Sequence, residues 1–131
     1  MAIRIVRLGT PRARGEGLRL GTVRRPPRGV KKADFARRDY FDVWLPELSP
    51  SAGVVSDALS EPWTPARWRA FERRYLAEMK DPGARHLIEM LAALSRQTSF
   101  SVGCYCEDEA HCHRRILRRL LEAAGAEMAG T

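Results

Sequence analysis

The sequence predicts an α/β fold: a single small domain whose parallel or mixed sheet of about 3–5 strands is flanked by helices in Rossmann-like layering. Three observations carry this. Short β-branched runs stand near the start of the chain, helical spacing of apolar residues fills its middle, and a strongly alternating run leads straight into an amphipathic helix near its end. A length of 131 residues fits one domain over 1–131 with a real hydrophobic core.

Ile3–Leu8 is β-branched and partly alternating, and reads as the first strand. Gly9–Gly17, with three glycines and a proline, reads as a loop and does not make a dinucleotide-binding glycine fingerprint. Leu18–Val23 reads as a second strand, with Leu18 and Leu20 on one face and Arg19 on the other. The segment Arg24–Lys32 carries two prolines, which exclude a central strand or a helix interior, so it is a stiffened basic loop at the end of a strand.

In Ala33–Leu45 the aromatic residues Phe35, Tyr40, Phe41 and Trp44 are expected to pack in the core. Pro46–Gly53 reads as a loop, and Val54–Leu59 as a short helix or strand. Thr64 and Pro65 form a helix start, and Trp68, Phe71, Tyr75, Leu76 and Met79 follow at helical spacing to about Lys80. A second helix, from Ala84 to about Arg96, places Leu87, Ile88, Leu91 and Leu94 on one face. Ser99–Tyr105 reads as a strand. The last helix runs from about Cys112 to Ala124, with Ile116, Leu117, Leu120 and Leu121 as its apolar stripe. Gly125 stops it, and 126–131 are expected to fray.

Charge is uneven. Residues 1–38 hold 12 basic and 2 acidic side chains, within a net charge of +7 for the chain. Arginine supplies 20 of the 23 basic residues, and its planar fork suits phosphate and carboxylate. No apolar run approaches the roughly 18 residues of a membrane span. Arginines interrupt Met1–Leu8 where a signal peptide needs its apolar core, so no membrane association and a cytoplasmic location are expected.

The chemistry gathers between the last strand and the last helix. All three cysteines, Cys104, Cys106 and Cys112, lie there with His111, His113, Arg114 and Arg115. A cysteine near a helix start, flanked by histidine and arginine, has the surroundings that raise its thiolate fraction. Cys112 is therefore the candidate nucleophile and His113 the candidate acid/base. Arginines in a first helical turn oppose the helix dipole, and a bound anion would relieve that conflict. Arg114 and Arg115, with Arg24 and Arg28 from the proline loop, form the candidate anion set.

The spacing excludes two thiol chemistries: five residues after Cys106 stands Cys112 rather than arginine, and no Cys-x-x-Cys is present. A metal is not the favoured reading. If zinc binds, its ligands are Cys104, Cys106, Cys112 and His111, but a strand continued through Cys106 would hold the first two thiols about 7 Å apart, so the chain must turn at Tyr105.

These residues resemble a known family. Cys104-Tyr-Cys-Glu107 followed by Cys112-His-Arg114, between a strand and a C-terminal helix, is similar to the bacterial domain of unknown function 488. Arg24–Lys32 resembles the proline-arginine segment of its YeaO-like branch, and Tyr40–Ser51 and the Trp68, Phe71, Arg74, Tyr75 helix fit as well. Val23 and Pro26 stand where that branch commonly has Asp and Trp, and Ala52–Glu61 is longer. The resemblance implies a small cytosolic α/β domain and assigns no activity.

Three functions follow as expectations. The first is a site for a phosphate-bearing or other anionic small molecule at the start of the last helix, with chemistry at Cys112. It requires Arg24 or Arg28 to share a pocket with Cys112 and Arg114. The second is nucleic-acid binding through the basic N-terminal third. The third is a small zinc protein built on the cysteine cluster.

Overall fold

The computed structural model of the protein describes residues 1–130. Four strands, β1 (Ile3–Arg7), β2 (Leu18–Gly21), β3 (Val43–Trp44) and β4 (Phe100–Cys104), form one parallel sheet in the order β1-β4-β2-β3. Four helices complete it: α1 (Ala52–Leu59), α2 (Pro65–Glu78), α3 (Pro82–Leu94) and α4 (His113–Ala123). The expected α/β class is thus present, with β4 entering late between two strands laid down early.

Parallel pairing fixes what each face carries. The register aligns Ile3 with Phe100, Ile5 with Val102, and Leu20 with Val102. These side chains share the face on which all four helices pack. Phe71 and Tyr75 of α2, Ile88 and Leu91 of α3, and Ile116, Leu117 and Leu121 of α4 close the main core against it. The other face is covered by the loops after β1 and β2. Gly21 and Gly103 lie there, and Cβ atoms at these positions would stand 2.4 Å from the Phe41 ring and 2.6 Å from Leu8. Their absence leaves the space that Phe41 and Leu8 occupy.

Each helix start follows from its sequence. Ser51, Thr64 and Asp81 accept from the backbone N–H groups of Val54, Arg67 and Gly83, and Pro65 and Pro82 occupy first-turn positions that need no donor. The ambiguous segment at 54–59 is helical because Ser51 caps it. Tyr75 is fully buried, and its hydroxyl donates to the Leu48 carbonyl at 2.7 Å, which ties α2 to the turn before α1.

Arg19 lies opposite Leu20, as expected, and is buried: it forms a fork with buried Glu16 at 2.8 and 3.0 Å and donates to the Thr10 and Asp39 carbonyls. Two expectations change. Trp44 lies on the sheet edge, exposed, although its indole N–H donates to the Val23 carbonyl at 2.8 Å. Residues 127–129 line the free edge of β1, with Ile3 N–H bonded to Glu127 O and Ala129 N–H to Ile3 O. An edge strand offers unpaired backbone groups, and this stretch, expected to fray, satisfies them. Thr131 lies outside the described residues. Among the described residues no helix is long and apolar enough to cross a membrane.

Candidate functional site

All four strands run the same way, so their C-terminal ends meet at one edge of the sheet, where open α/β sheets carry their ligands. A cavity of about 950 Å³ opens at this edge. The proline-arginine loop after β2 supplies Arg24, Arg25 and Arg28. Trp63 and Phe71 supply aromatic wall, and the turn after β4 brings Tyr105, Cys106 and His111. Cys104, Cys112 and His113 also line it. Cys112, 1% exposed, is the most buried of the lining residues, so it marks the deep end.

Of the expected anion set, Arg24 and Arg28 share this cavity with Cys112 and His113. Arg24 is half committed to structure, donating to the Pro50 and Ser49 carbonyls at 3.1 and 3.3 Å. Arg28 is exposed at the rim, as is Arg25, which was not among the expected anion set. Arg114 and Arg115 do not line the cavity. Arg115 is exposed on the outside of α4, and Arg114 is buried, donating to the Cys106 carbonyl at 2.6 Å.

The expectation that an anion must relieve these first-turn arginines has a simpler resolution. Each opposes the dipole by roughly 0.3–1 kcal/mol. Full burial of Ile116, Leu117 and Leu121 contributes roughly 1.5–3 kcal/mol each and outweighs that cost.

β4 ends at Cys104, and the chain turns at Tyr105, as a thiol cluster requires. The Cys104 Sγ donates to Cys106 Sγ at 3.7 Å, and the three Sγ atoms lie within 4.8 Å of one another. No disulfide joins them. His111 stays outside the cluster: its Nδ1 is 2.8 Å from Asp108 Oδ2, and its ring stacks on Trp63.

The cluster divides its protons unequally. Hydrogen bonds from Cys104 and Cys106 hold the Cys112 thiol far below the ordinary thiol range, and His113 adds to this against the cost of burial. Cys104 is pushed well up, because it donates to Cys106 and Cys112 and is buried. Cys106 is raised to about 11: the bond from Cys104 lowers it, but the bond to Cys112 and burial prevail. Of the three, Cys112 is therefore the sulfur whose surroundings most favour the thiolate. It precedes the first residue of α4, at the positive end of that helix. Buried Arg114, which forms no carboxylate pair among the described residues, adds positive charge beside the cluster.

His113 is held in one sense. Its Nε2 lies 2.7 Å from the Thr22 carbonyl, which can only accept, so Nε2 carries a hydrogen. The Thr22 hydroxyl is 3.1 Å from the same nitrogen and gives its own hydrogen to the Gly103 carbonyl at 2.9 Å. Nδ1 then faces Cys112 Sγ at 3.8 Å. Nothing in the sequence marked Thr22, because its role depends on β2 and β4 being neighbours.

A family model described as "Active DUF488-N3 subclade" matches residues 3–125. No curated protein and no solved structure matches the chain. The chain belongs to the DUF488 family, in agreement with the resemblance read from its cysteine-histidine-arginine and proline-arginine segments.

Proposed function

We propose that this DUF488 member uses Cys112 as a nucleophile on a small anionic molecule bound in the cavity. The observation that carries the reading is the Cys112–His113 pair at the deep end of a cavity whose rim holds Arg24, Arg25 and Arg28. Cys112 Sγ attacks an electrophilic centre, and His113 Nδ1 takes up the thiol proton and returns it to the leaving group. The Thr22 carbonyl keeps the imidazole in the tautomer that this requires. Arg25 and Arg28 hold the charged end of the ligand at the mouth, and Trp63, Phe71 and Tyr105 pack its apolar part. The word "active" in the family description agrees with catalysis.

Selective alkylation tests this. Limiting iodoacetamide at pH 6 is expected to modify Cys112 before Cys104 or Cys106, and Cys112→Ser is expected to remove the fast phase. Equal labelling of the three cysteines would count against a nucleophile at this position.

A second reading rests on the sulfur distances. Three Sγ atoms within 4.8 Å of one another suit a single zinc ion with its fourth position toward the cavity. Metal analysis of protein purified without added zinc separates the two. Stoichiometric zinc released only by chelator favours the metal centre, and metal-free protein with a fast thiol favours the nucleophile. Nucleic-acid binding remains the alternative use of the basic surface, and it predicts steep salt dependence with no effect of Cys112→Ser.

A further inference from the structure

The nucleophile reading uses one sulfur and leaves two. Cys104 is held in β4 between two strands, its carbonyl accepting from Leu8 N–H. Cys106 lies beyond the end of that strand in the turn that lines the cavity, half-buried, anchored through its carbonyl by Arg114. Both Cys104 Sγ and Cys106 Sγ lie within 4.8 Å of Cys112 Sγ, with 3.7 Å between those two, and a disulfide needs about 2.05 Å. The turn after β4 can close that gap at less cost than the central strand, whose movement would break ladder hydrogen bonds on both sides.

We propose that Cys106 is the resolving partner of Cys112, and that the pair reduces organic hydroperoxides in the cavity. The inference rests on Cys112 being the reactive thiol of the site, as its place at the start of α4 with His113 Nδ1 at 3.8 Å supports, and adds a substrate class and a second reacting residue. Cys112 Sγ attacks the terminal oxygen of the hydroperoxide. The S–O bond forms, the O–O bond breaks, and the alcohol leaves with the proton that His113 delivers. Cys106 Sγ then attacks Cys112 Sγ, forming the S–S bond and expelling the oxygen as water with the Cys106 proton. The hydroperoxide gains two electrons and the two thiols lose them. A small dithiol, exchanging through a mixed disulfide, returns the pair to the reduced state. The aromatic wall suits an organic body, and the arginine rim suits an acid group carried on it.

The probe is cumene hydroperoxide, one equivalent, added to the full chain reduced and freed of excess thiol. The expected result is loss of two of the three thiols, at a rate on the order of tenfold or more above that of free cysteine at the same pH. Cleavage after Glu107 and Glu109 separates Cys106 from Cys112, so their link is seen as a joined peptide pair that dithiothreitol splits. Cys104→Ala is expected to keep the link while forming it more slowly, because it removes one of the thiols that donate to Cys112. Cys106→Ser is expected to lose it and to leave a Cys112 sulfenic acid that dimedone traps. A link that survives Cys106→Ser but vanishes in Cys104→Ala would overturn the assignment. So would oxidation no faster than free cysteine, or a Cys112 sulfenic acid that persists in the unmodified sequence. If Cys112 alkylates rapidly but forms no link, this inference falls and the nucleophile reading stands. If it neither alkylates nor oxidises, both fall.

Discussion

At the scale of single residues, the behaviour of Cys112 follows from who donates to it. Two neighbouring thiols and an imidazole surround its sulfur, so its negative form is favoured and theirs is not. An unperturbed thiol, with a pKa of about 8.5, loses alkylation rate tenfold per pH unit below that value. Cys112 is lowered, so its rate should stay nearly flat from pH 8 to pH 6, and removing both thiol donors, Cys104→Ala with Cys106→Ala, should restore a falling profile more fully than His113→Gln does. A wild-type rate that drops tenfold per unit across this range would show an ordinary thiol.

Glu16 is the residue-scale counterpart for stability. Burial raises its pKa, but the bonds from Arg19, Ser101 and the Ala13 N–H prevail and bring it down to about 2. A group depressed in the folded state adds stability that is full above its unfolded pKa, near 4.3, and is lost as pH falls through the folded value. Glu16→Gln leaves Arg19 charged and buried without its partner, and should cost about 3–5 kcal/mol in urea unfolding at pH 7. The gap between the two proteins should narrow as pH approaches 2. Neither Glu16 nor Thr22 stood out in the sequence. Thr22 acts through His113, far along the chain, and Glu16 pairs locally with Arg19 but is also tied to distant Ser101, which no local pattern encodes.

At the scale of elements, local signals located α2, α3 and α4 and the first and last strands well, while 54–59 stayed ambiguous between helix and strand. Thr64 with Pro65 and the stripe through Trp68, Phe71 and Tyr75 define α2 because caps and periodicity are local. The two-residue strand β3 had no such signal, since it exists only as an addition to the edge of β2. Glycines test the elements sharply. Gly17 has φ of +80°, and a Cβ there would stand 2.0 Å from the Ser99 carbonyl, so Gly17→Ala should unfold the chain at far lower denaturant. Gly53 in α1 has nothing within 4 Å of its would-be Cβ, so Gly53→Ala should stabilise by about 0.5–1 kcal/mol. Thermal melting of both variants checks the pair, and a stabilised Gly17→Ala would contradict the packing of that loop against β4.

At the scale of the whole molecule, parallel topology does what no motif could. It brings the loop after β2 and the turn after β4 to one edge, and so joins arginines at 24, 25 and 28 to cysteines eighty residues later in a single cavity. The sequence singled out both the proline-arginine loop and the Cys112 junction, but helix periodicity alone did not show that Arg114 turns inward to the Cys106 carbonyl. Nor did it show that Arg7, Arg12, Arg19 and Arg37 form ion pairs with carboxylates, which leaves less of the basic N-terminal third for a polyanion.

The central claim, a Cys112 nucleophile reached past a cationic rim, is tested most directly by comparing two alkylating agents of the same reactive group and different charge. The ratio of iodoacetate to iodoacetamide rate constants at Cys112, at low ionic strength, should exceed that of free cysteine by on the order of tenfold, and the double variant Arg25→Ala, Arg28→Ala should remove the excess. A ratio equal to that of free cysteine, unchanged by the double variant, would contradict it.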